Sequence, residues 1–319
     1  MDQKMKTKQP ALEKAPPSAK DPADREMMLD FIDRHMRWLF SFPSILVMLL
    51  LFAYPLAQLF WTSFTNATLS SVDTPKFVGF GNYARAFVQD AHFWKSVWLT
   101  LYYALGATAG QLTIGLALAV FLNRSFRGEA VFRMLIMFPL IATPVAMSLV
   151  WSMLMNPMMG HLNYYLSLIG LGPYLWAAHT ASVMPTLIGI EIWHHAPMAM
   201  LVLLAGLKSL PREPFEAALV DGASKIRTFF HVTLPLLKPY IFLILLLRLI
   251  HSLKVFDKIF VISHGGPNRA SETLNLMIYH QAFGAMDYGY ASVLSVILLV
   301  IILGLSGMIF RYRKRKWSY

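Results

Sequence analysis

The sequence predicts an all-α polytopic membrane protein with six transmembrane helices, and three observations predict it. Of its 319 residues 56% are hydrophobic and only 14% charged, with 22 Phe, 19 Met and 8 Trp, more apolar material than a soluble domain can hide. The apolar residues fall into six runs of 22 to 27 residues. At about 1.5 Å rise per residue each run can cross a hydrocarbon layer of about 30 Å. The Lys and Arg behind the net charge of +11 stand at the chain ends and in the gaps between runs, an arrangement that orients a membrane protein and does not form a nucleic-acid patch. There is no cysteine, which excludes disulfides, thiol nucleophiles and thiolate metal sites and leaves the redox compartment open.

Residues 1–37 form a basic leader, expected to be cytoplasmic. Its first part, to about residue 23, is rich in Lys and Pro and reads as disordered. Met27, Leu29, Phe31, Ile32 and Met36 sit among charges and fit a helix lying on the membrane surface. The remainder, 38–319, reads as one transmembrane domain with spans at about 38–61, 97–122, 134–155, 181–207, 240–262 and 288–310. The first run is too long for the apolar core of a cleaved signal and reads as a retained anchor. With the N-terminus inside, basic residues concentrate in the leader, at 123–133, at 208–239 and in RYRKRK, whereas the outside loops carry only Lys76, Arg85, Lys95 and Arg269. Both termini are therefore expected in the cytoplasm of a multi-pass membrane protein, with RYRKRK meeting anionic lipid. Segments 62–96 and 156–180 read as ordered outer loops, with a surface helix in NYARAFVQDAHFW.

Between two spans lies an amphipathic cytoplasmic stretch, EAALVDGASKIRTFFHVTLPLLKP, residues 216–239. Pro214 suits a first helical turn, with Phe215, Ala218 and Leu219 on one face. Gly222 suits the left-handed residue that ends such a helix. Ser224 can cap a second helix carrying Ile226, Phe229 and Phe230, which Leu234-Pro235 is expected to stop. Helices of about two turns need a partner surface, because nucleation costs more than so few hydrogen bonds return. That surface could be the chain's own bundle or a soluble partner, with Ala217 and Ala218 allowing close approach and Phe229 and Phe230 filling a pocket.

The string Glu216-Ala217-Ala218, three residues including Asp221, then Gly222, nine residues and Val232-x-Leu234-Pro235 closely resembles the EAA loop of permease subunits of binding-protein-dependent ABC importers. Val232 stands where Ile is more usual. LLAGLKSLPREPFEAALVDGAS, ISHGGPNRASETLNLMIYHQAF followed by YGYAS, and FVGFGNYARAFVQDAHFWKSVWLTLYY are similar to the carbohydrate-uptake branch. The leader and YPLAQLFWTSF resemble the first, maltose or glycerol-phosphate type of permease subunit. The resemblance implies a MetI-like, maltose-type transmembrane domain whose EAA loop docks in a cleft of a cytoplasmic ABC ATPase dimer, with Glu216 meeting polar groups there and Gly222 making the turn. It also implies a second six-span permease as heterodimer partner, an extracytoplasmic solute-binding protein, and alternating access. No GxxxxGK[ST] occurs, so the chain is expected to be no enzyme and to carry no cofactor or metal, with ATP and Mg on the partner ATPase.

Four spans lack Asp, Glu, Lys, Arg and His. The fourth carries Glu191, His194 and His195 beside Trp193; the fifth carries Arg248, His251, Lys254, Asp257 and Lys258. Each charged group at mid-membrane costs about 2.5–3.5 kcal/mol on insertion scales, so a compensating use is expected. Glu191 and His251 each lie about 15 Å deep, and Arg248, His251 and Ser252 share one helix face. Two uses fit: a Glu191–Arg248 ion pair that fixes packing, or a polar substrate cavity formed by Glu191, Trp193, His194, His195, Arg248, His251 and Ser252. In sugar permeases of the maltose type, the positions matching Glu191, Arg248 and Ser252 face the sugar. Lys254, Asp257 and Lys258 are expected near the outer end of the fifth span, pairing with one another or reaching headgroups. Two rivals are weighed. Glu191-x-x-His194 has the ligand spacing of di-iron bundles, but only Asp257 is at hand as a further carboxylate. An ion-coupled secondary transporter would need a coupling-ion site and usually inverted repeats, and neither is visible.

Overall fold

The structure is a computed structural model that describes residues 36, 38, 40–68 and 74–317, with side chains through residue 313. The leader apart from residue 36, and with it nearly all of the expected surface helix, lies outside the described residues, as do the side chains at the end of RYRKRK. The chain divides into two compact units, 1–58 and 59–319. In the first, the described residues build most of α1, Phe40–Ser63, an apolar helix passing through a π-turn at Leu49–Ala53. Its last turn opens the second unit.

Among the described residues the second unit is helical, with two isolated β-bridges, Thr65 with Phe77 and Thr68 with Asp287. In chain order it contains α2 (Phe93–Leu122), α3 (Glu129–Ile141), α4 (Pro144–Leu154), α5 (His161–Leu168), α6 (Val183–Lys208), α7 (Glu213–Val220), α8 (Lys225–Leu253), α9 (Asp257–Ile262), α10 (Leu274–Tyr279) and α11 (Tyr288–Trp317). Helices α1, α2, α6, α8 and α11 are long and apolar enough to cross a membrane. A sixth crossing is available if α3 and α4 act as one broken span.

The α2–α6 pair is the centre of the second unit. Small residues let the two backbones approach: a Cβ added at Gly115 would meet the Ala199 Cβ at 2.6 Å, the Met200 nitrogen at 3.0 Å and the Ala196 oxygen at 3.1 Å. Towards the ends of α2 and α6 nearest the 208–239 segment, Ala119, Leu122, Met200, Leu203, Leu237 and Ile244 form one apolar cluster. Towards the opposite ends, Tyr103, Ala107, Val183, Leu187, Ile259 and Leu276 form another. Gln111, Glu191 and Arg248 lie in sequence between the two clusters.

Two spans differ from the sequence expectation. The third, expected straight over 134–155, is bent by 99° between α3 and α4. Pro144 forces the residue before it out of helical geometry, and Ala142 and Thr143 are both extended, with Thr143 Oγ1 accepting from the Ala146 N–H to start α4. The fifth, expected over 240–262, begins at Lys225 and stops at Leu253. Leu234-Pro235 does not end the helix: a π-turn over Phe229–Thr233 links Leu234 N–H to the Phe229 carbonyl and widens the coil where the Pro235 ring would otherwise clash. Beyond Leu253 the chain breaks, the Lys254 carbonyl accepts from Asn275 Nδ2 at 2.9 Å, and α9 restarts at Asp257 and packs on α4.

The loops expected on the outer side are ordered around particular side chains. The expected helix in NYARAFVQDAHFW is a short turn, Gly81–Ala84, running into a π-turn, Arg85–Gln89, that ends at extended Asp90. In the loop around α5, Asn163 accepts from the Tyr174 N–H and Trp176 Nε1 and donates to the Tyr174 carbonyl, at 3.2, 2.9 and 3.0 Å. In ISHGGPN, Gly265 at φ +83° and the Gly266 N–H bond to the Ser263 carbonyl make a turn.

Candidate functional site

Two regions concentrate the chemistry that the sequence singles out. The first is the elbow between α7 and α8. Pro214 occupies the first turn of α7. Gly222 closes that helix at φ +68°, with the Ala223 N–H bonded to the Ala218 carbonyl at 2.9 Å. Ser224 Oγ then accepts from the Arg227 N–H and caps α8. Ala218 is buried against its own chain, whereas Glu216, Ala217 and Asp221 are exposed. The outward apolar residues are Leu219, 78% exposed, Ile226, 73%, with Val220 and Phe230. Phe229 is half-buried and lines, with Val120, Asn123, Arg124 and Phe215, a groove of about 800 Å³ between the elbow and the end of α2. Phe230 stacks edge-to-face on Phe229 at 5.2 Å and points outward; Leu234 and Pro235 lie half-buried in α8. Exposed apolar side chains on the short α7 and the first turns of α8, joined at a glycine, form one apolar surface patch.

The second region is a buried polar cluster centred on Glu191, which is only 1% exposed. Helix α6 places Glu191 and His195 one turn apart, α8 brings Arg248, α9 brings Lys258, and α2 brings Gln111. Glu191 Oε1 accepts from Arg248 Nη2 at 2.9 Å and Gln111 Nε2 at 3.2 Å, and lies 2.9 Å from His195 Nδ1. Glu191 Oε2 accepts from Lys258 Nζ. Gln111 Oε1 accepts from Arg248 Nε at 2.8 Å, so the amide buttresses both charges. His195 Nδ1 is also 3.3 Å from Lys258 Nζ. A cavity of about 320 Å³ opens beside this cluster, lined by Glu191, His195, His251, Lys254, Asp257 and Lys258.

The structure therefore brings Glu191, His195, Arg248 and His251 together and adds two residues that sequence reasoning missed. Gln111 could have been noticed as the one amide in an otherwise apolar span. Lys258, expected near the headgroups, is 2% exposed and paired with Glu191, because the break after Leu253 redirects α9. His194 is buried, its ring 4.3 Å from that of His195, and its Nδ1 has no hydrogen-bond partner among the described residues. Ser252 is fully buried, and its hydroxyl likewise has no hydrogen-bond partner among the described residues. Trp193 lies on another face of α6, packed edge-to-face on Trp151 at 5.3 Å and lining a separate groove with Ile114, Leu135 and Pro139.

Glu191, His195 and His251 bring three ligand atoms within 4.8 Å of one another. Arg248 and Lys258 hold the oxygens of Glu191, however, and a guanidinium and an ammonium at that distance oppose a metal dication. The arrangement hydrogen-bonds and balances charge; it is a poor metal cage.

Residues 111–315 match the family described as binding-protein-dependent transport system inner membrane component. The chain is 31% identical to the trehalose/maltose transport system permease protein of Thermococcus litoralis, over 86% of this chain and 92% of that one. It is 33% identical to the sulfoquinovosyl glycerol transport system permease protein of Agrobacterium fabrum, over 90% and 93% of the two chains. Its fold matches a chain of a bacterial alginate ABC transporter, solved in complex with an alginate pentasaccharide-bound periplasmic protein, with a TM-score of 0.79 at 21% identity over 91% of this chain and 98% of that one. Helices of spanning length, the α7–α8 elbow and the match over most of the chain agree: this protein belongs to the family of inner-membrane components of binding-protein-dependent transport systems.

Proposed function

We propose that this chain is one membrane-spanning half of an ATP-driven importer for a carbohydrate or related polyol, coupled through residues 216–239 to a separate ATPase. The observation that carries the reading is the α7–α8 elbow, where Leu219, Val220, Ile226 and Phe230 stand exposed around Gly222 on a chain with no phosphate-binding loop of its own. A cytoplasmic ATPase cleft would cover those side chains, with Glu216 and Asp221 at its polar rim. ATP and Mg would bind that partner. Closure of an ATPase dimer would move the elbow as a unit and switch access to the cavity beside Glu191 from one side of the membrane to the other. A dimeric ATPase has two clefts and this chain has one elbow, so a second permease subunit completes the pore. Relatives named for trehalose/maltose, sulfoquinovosyl glycerol and sn-glycerol-3-phosphate transport support the carbohydrate and polyol class. A solute-binding protein would deliver the substrate to the outer loops, and the distribution of Lys and Arg supports cytoplasmic termini.

Purification of the chain from its native membrane in mild detergent, with mass identification of what accompanies it, tests the reading. A Walker-motif ATPase and a second polytopic permease are expected. Recovery of the chain alone, transporting under an ion gradient, would overturn it.

A further inference from the structure

Resting on the importer reading, we infer that the cavity beside Glu191 takes an anionic substrate: a sugar or polyol carrying an oxyanion such as a carboxylate, sulfonate or phosphate ester. The cluster has one carboxylate, Glu191, paired with two basic side chains, the Arg248 guanidinium and the Lys258 ammonium, all three at most 3% exposed. The remaining charged groups lining the cavity, Lys254 and Asp257, are of opposite sign and leave that balance unchanged. One positive charge is therefore left over in a site largely removed from water, where an unbalanced charge is costly and a bound counter-charge is favoured.

Hydrogen-bond capacity points the same way. Both oxygens of Glu191 are occupied, Oε1 by Arg248 and Gln111 with His195 beside it, and Oε2 by Lys258. Little acceptor capacity is left there for the hydroxyl hydrogens of a neutral sugar. What remains toward the cavity is donor-rich: the ammonium groups of Lys258 and Lys254 and the imidazole of His251, with Asp257 at the edge as an acceptor for hydroxyls. Lys254 forms no ion pair within 4.0 Å among the described residues.

The test compares cells with and without this chain, after co-purification has shown that the complex assembles. Both are given a defined mixture of neutral glycosides and polyols together with glucuronate, galacturonate, sulfoquinovosyl glycerol and glycerol phosphate, and the medium is resolved on an anion-exchange column. Chain-dependent depletion of a retained carbohydrate or polyol is expected. Depletion confined to the unretained fraction overturns the anion inference and leaves the importer reading standing. No depletion of any compound by an assembled complex counts against both. Lys254→Gln, at an exposed position outside the Glu191 network, and Lys258→Gln are each expected to lower uptake of the retained compound by about tenfold or more. Unchanged uptake in both variants would overturn the assignment of the anion to this cavity.

Discussion

Replacing Glu191 by Gln keeps the size of the side chain and one carbonyl oxygen but removes the negative charge held between Arg248, at 2.9 Å, and Lys258. With charge centres about 4 Å apart and an effective dielectric constant of about 20, each attraction is worth about 4 kcal/mol before desolvation is subtracted. Loss of one partner from a buried pair costs about 3–5 kcal/mol, because the other charge is left uncompensated. Arg248→Gln differs in kind. It leaves Glu191 balanced by Lys258, so the expected cost is about 1–2 kcal/mol of lost hydrogen bonding. The assay is stepwise heating of the detergent-extracted complex, with the intact fraction read by size exclusion. Glu191→Gln is expected to lower the apparent Tm by on the order of 5–10 °C and Arg248→Gln by less than about half as much. Adding Lys258→Gln to Glu191→Gln should recover part of the loss. Equal losses in the two single variants, or none for Glu191→Gln, would refute the charge accounting.

Glu216 is exposed and has no ion pair among the described residues, so Glu216→Lys should leave membrane levels unchanged while uptake and ATPase co-purification are lost. Gly222→Val places a β-branched residue at φ +68° in otherwise open space, costing about 1–2 kcal/mol locally, and should abolish transport with the protein still inserted. Gly115→Leu must displace backbone atoms of α6 and should cost about 1–3 kcal/mol or more, read as reduced yield of monodisperse protein, whereas Gly189→Leu, with nothing within 4 Å, should not. Asn163→Ala removes four hydrogen bonds at a buried position in α5, and limited proteolysis should cut faster between α5 and α6.

The sequence made the elbow readable because its signals are local: Pro214, Gly222 and Ser224 each act within one turn, and each sits where those signals place it. The outcome at Pro235 was not readable, since the π-turn that accommodates it depends on where Phe229 can settle against the groove. Counting along the apolar runs sets Glu191 and His251 at one depth and leaves a Glu191–Arg248 pair as one of two uses; the structure makes that pair. Lys258 escaped that count because it assumes an unbroken helix through Val255 and Phe256, and the break at Lys254 depends on Asn275, distant in sequence. Gln111 escaped because a lone amide in a span weighs little until a partner is known. The bend between α3 and α4 had its cause in plain view at Pro144; its 99° size depends on the packing of α4 against α9.

The central claim is that the α7–α8 elbow engages a separate ATPase, and the absence of cysteine from the chain makes one measurement direct. Leu219→Cys, 78% exposed on the elbow, gives a single thiol for a short cross-linker in native membranes, and Val88→Cys, 83% exposed in the 62–96 segment expected on the outer side, gives the control. A Leu219 cross-link to a Walker-motif ATPase that changes in yield with ATP, and none from Val88, is the predicted result. A Leu219 thiol that stays uncross-linked in a transport-active membrane, or that captures only lipid and its own chain, would contradict the account.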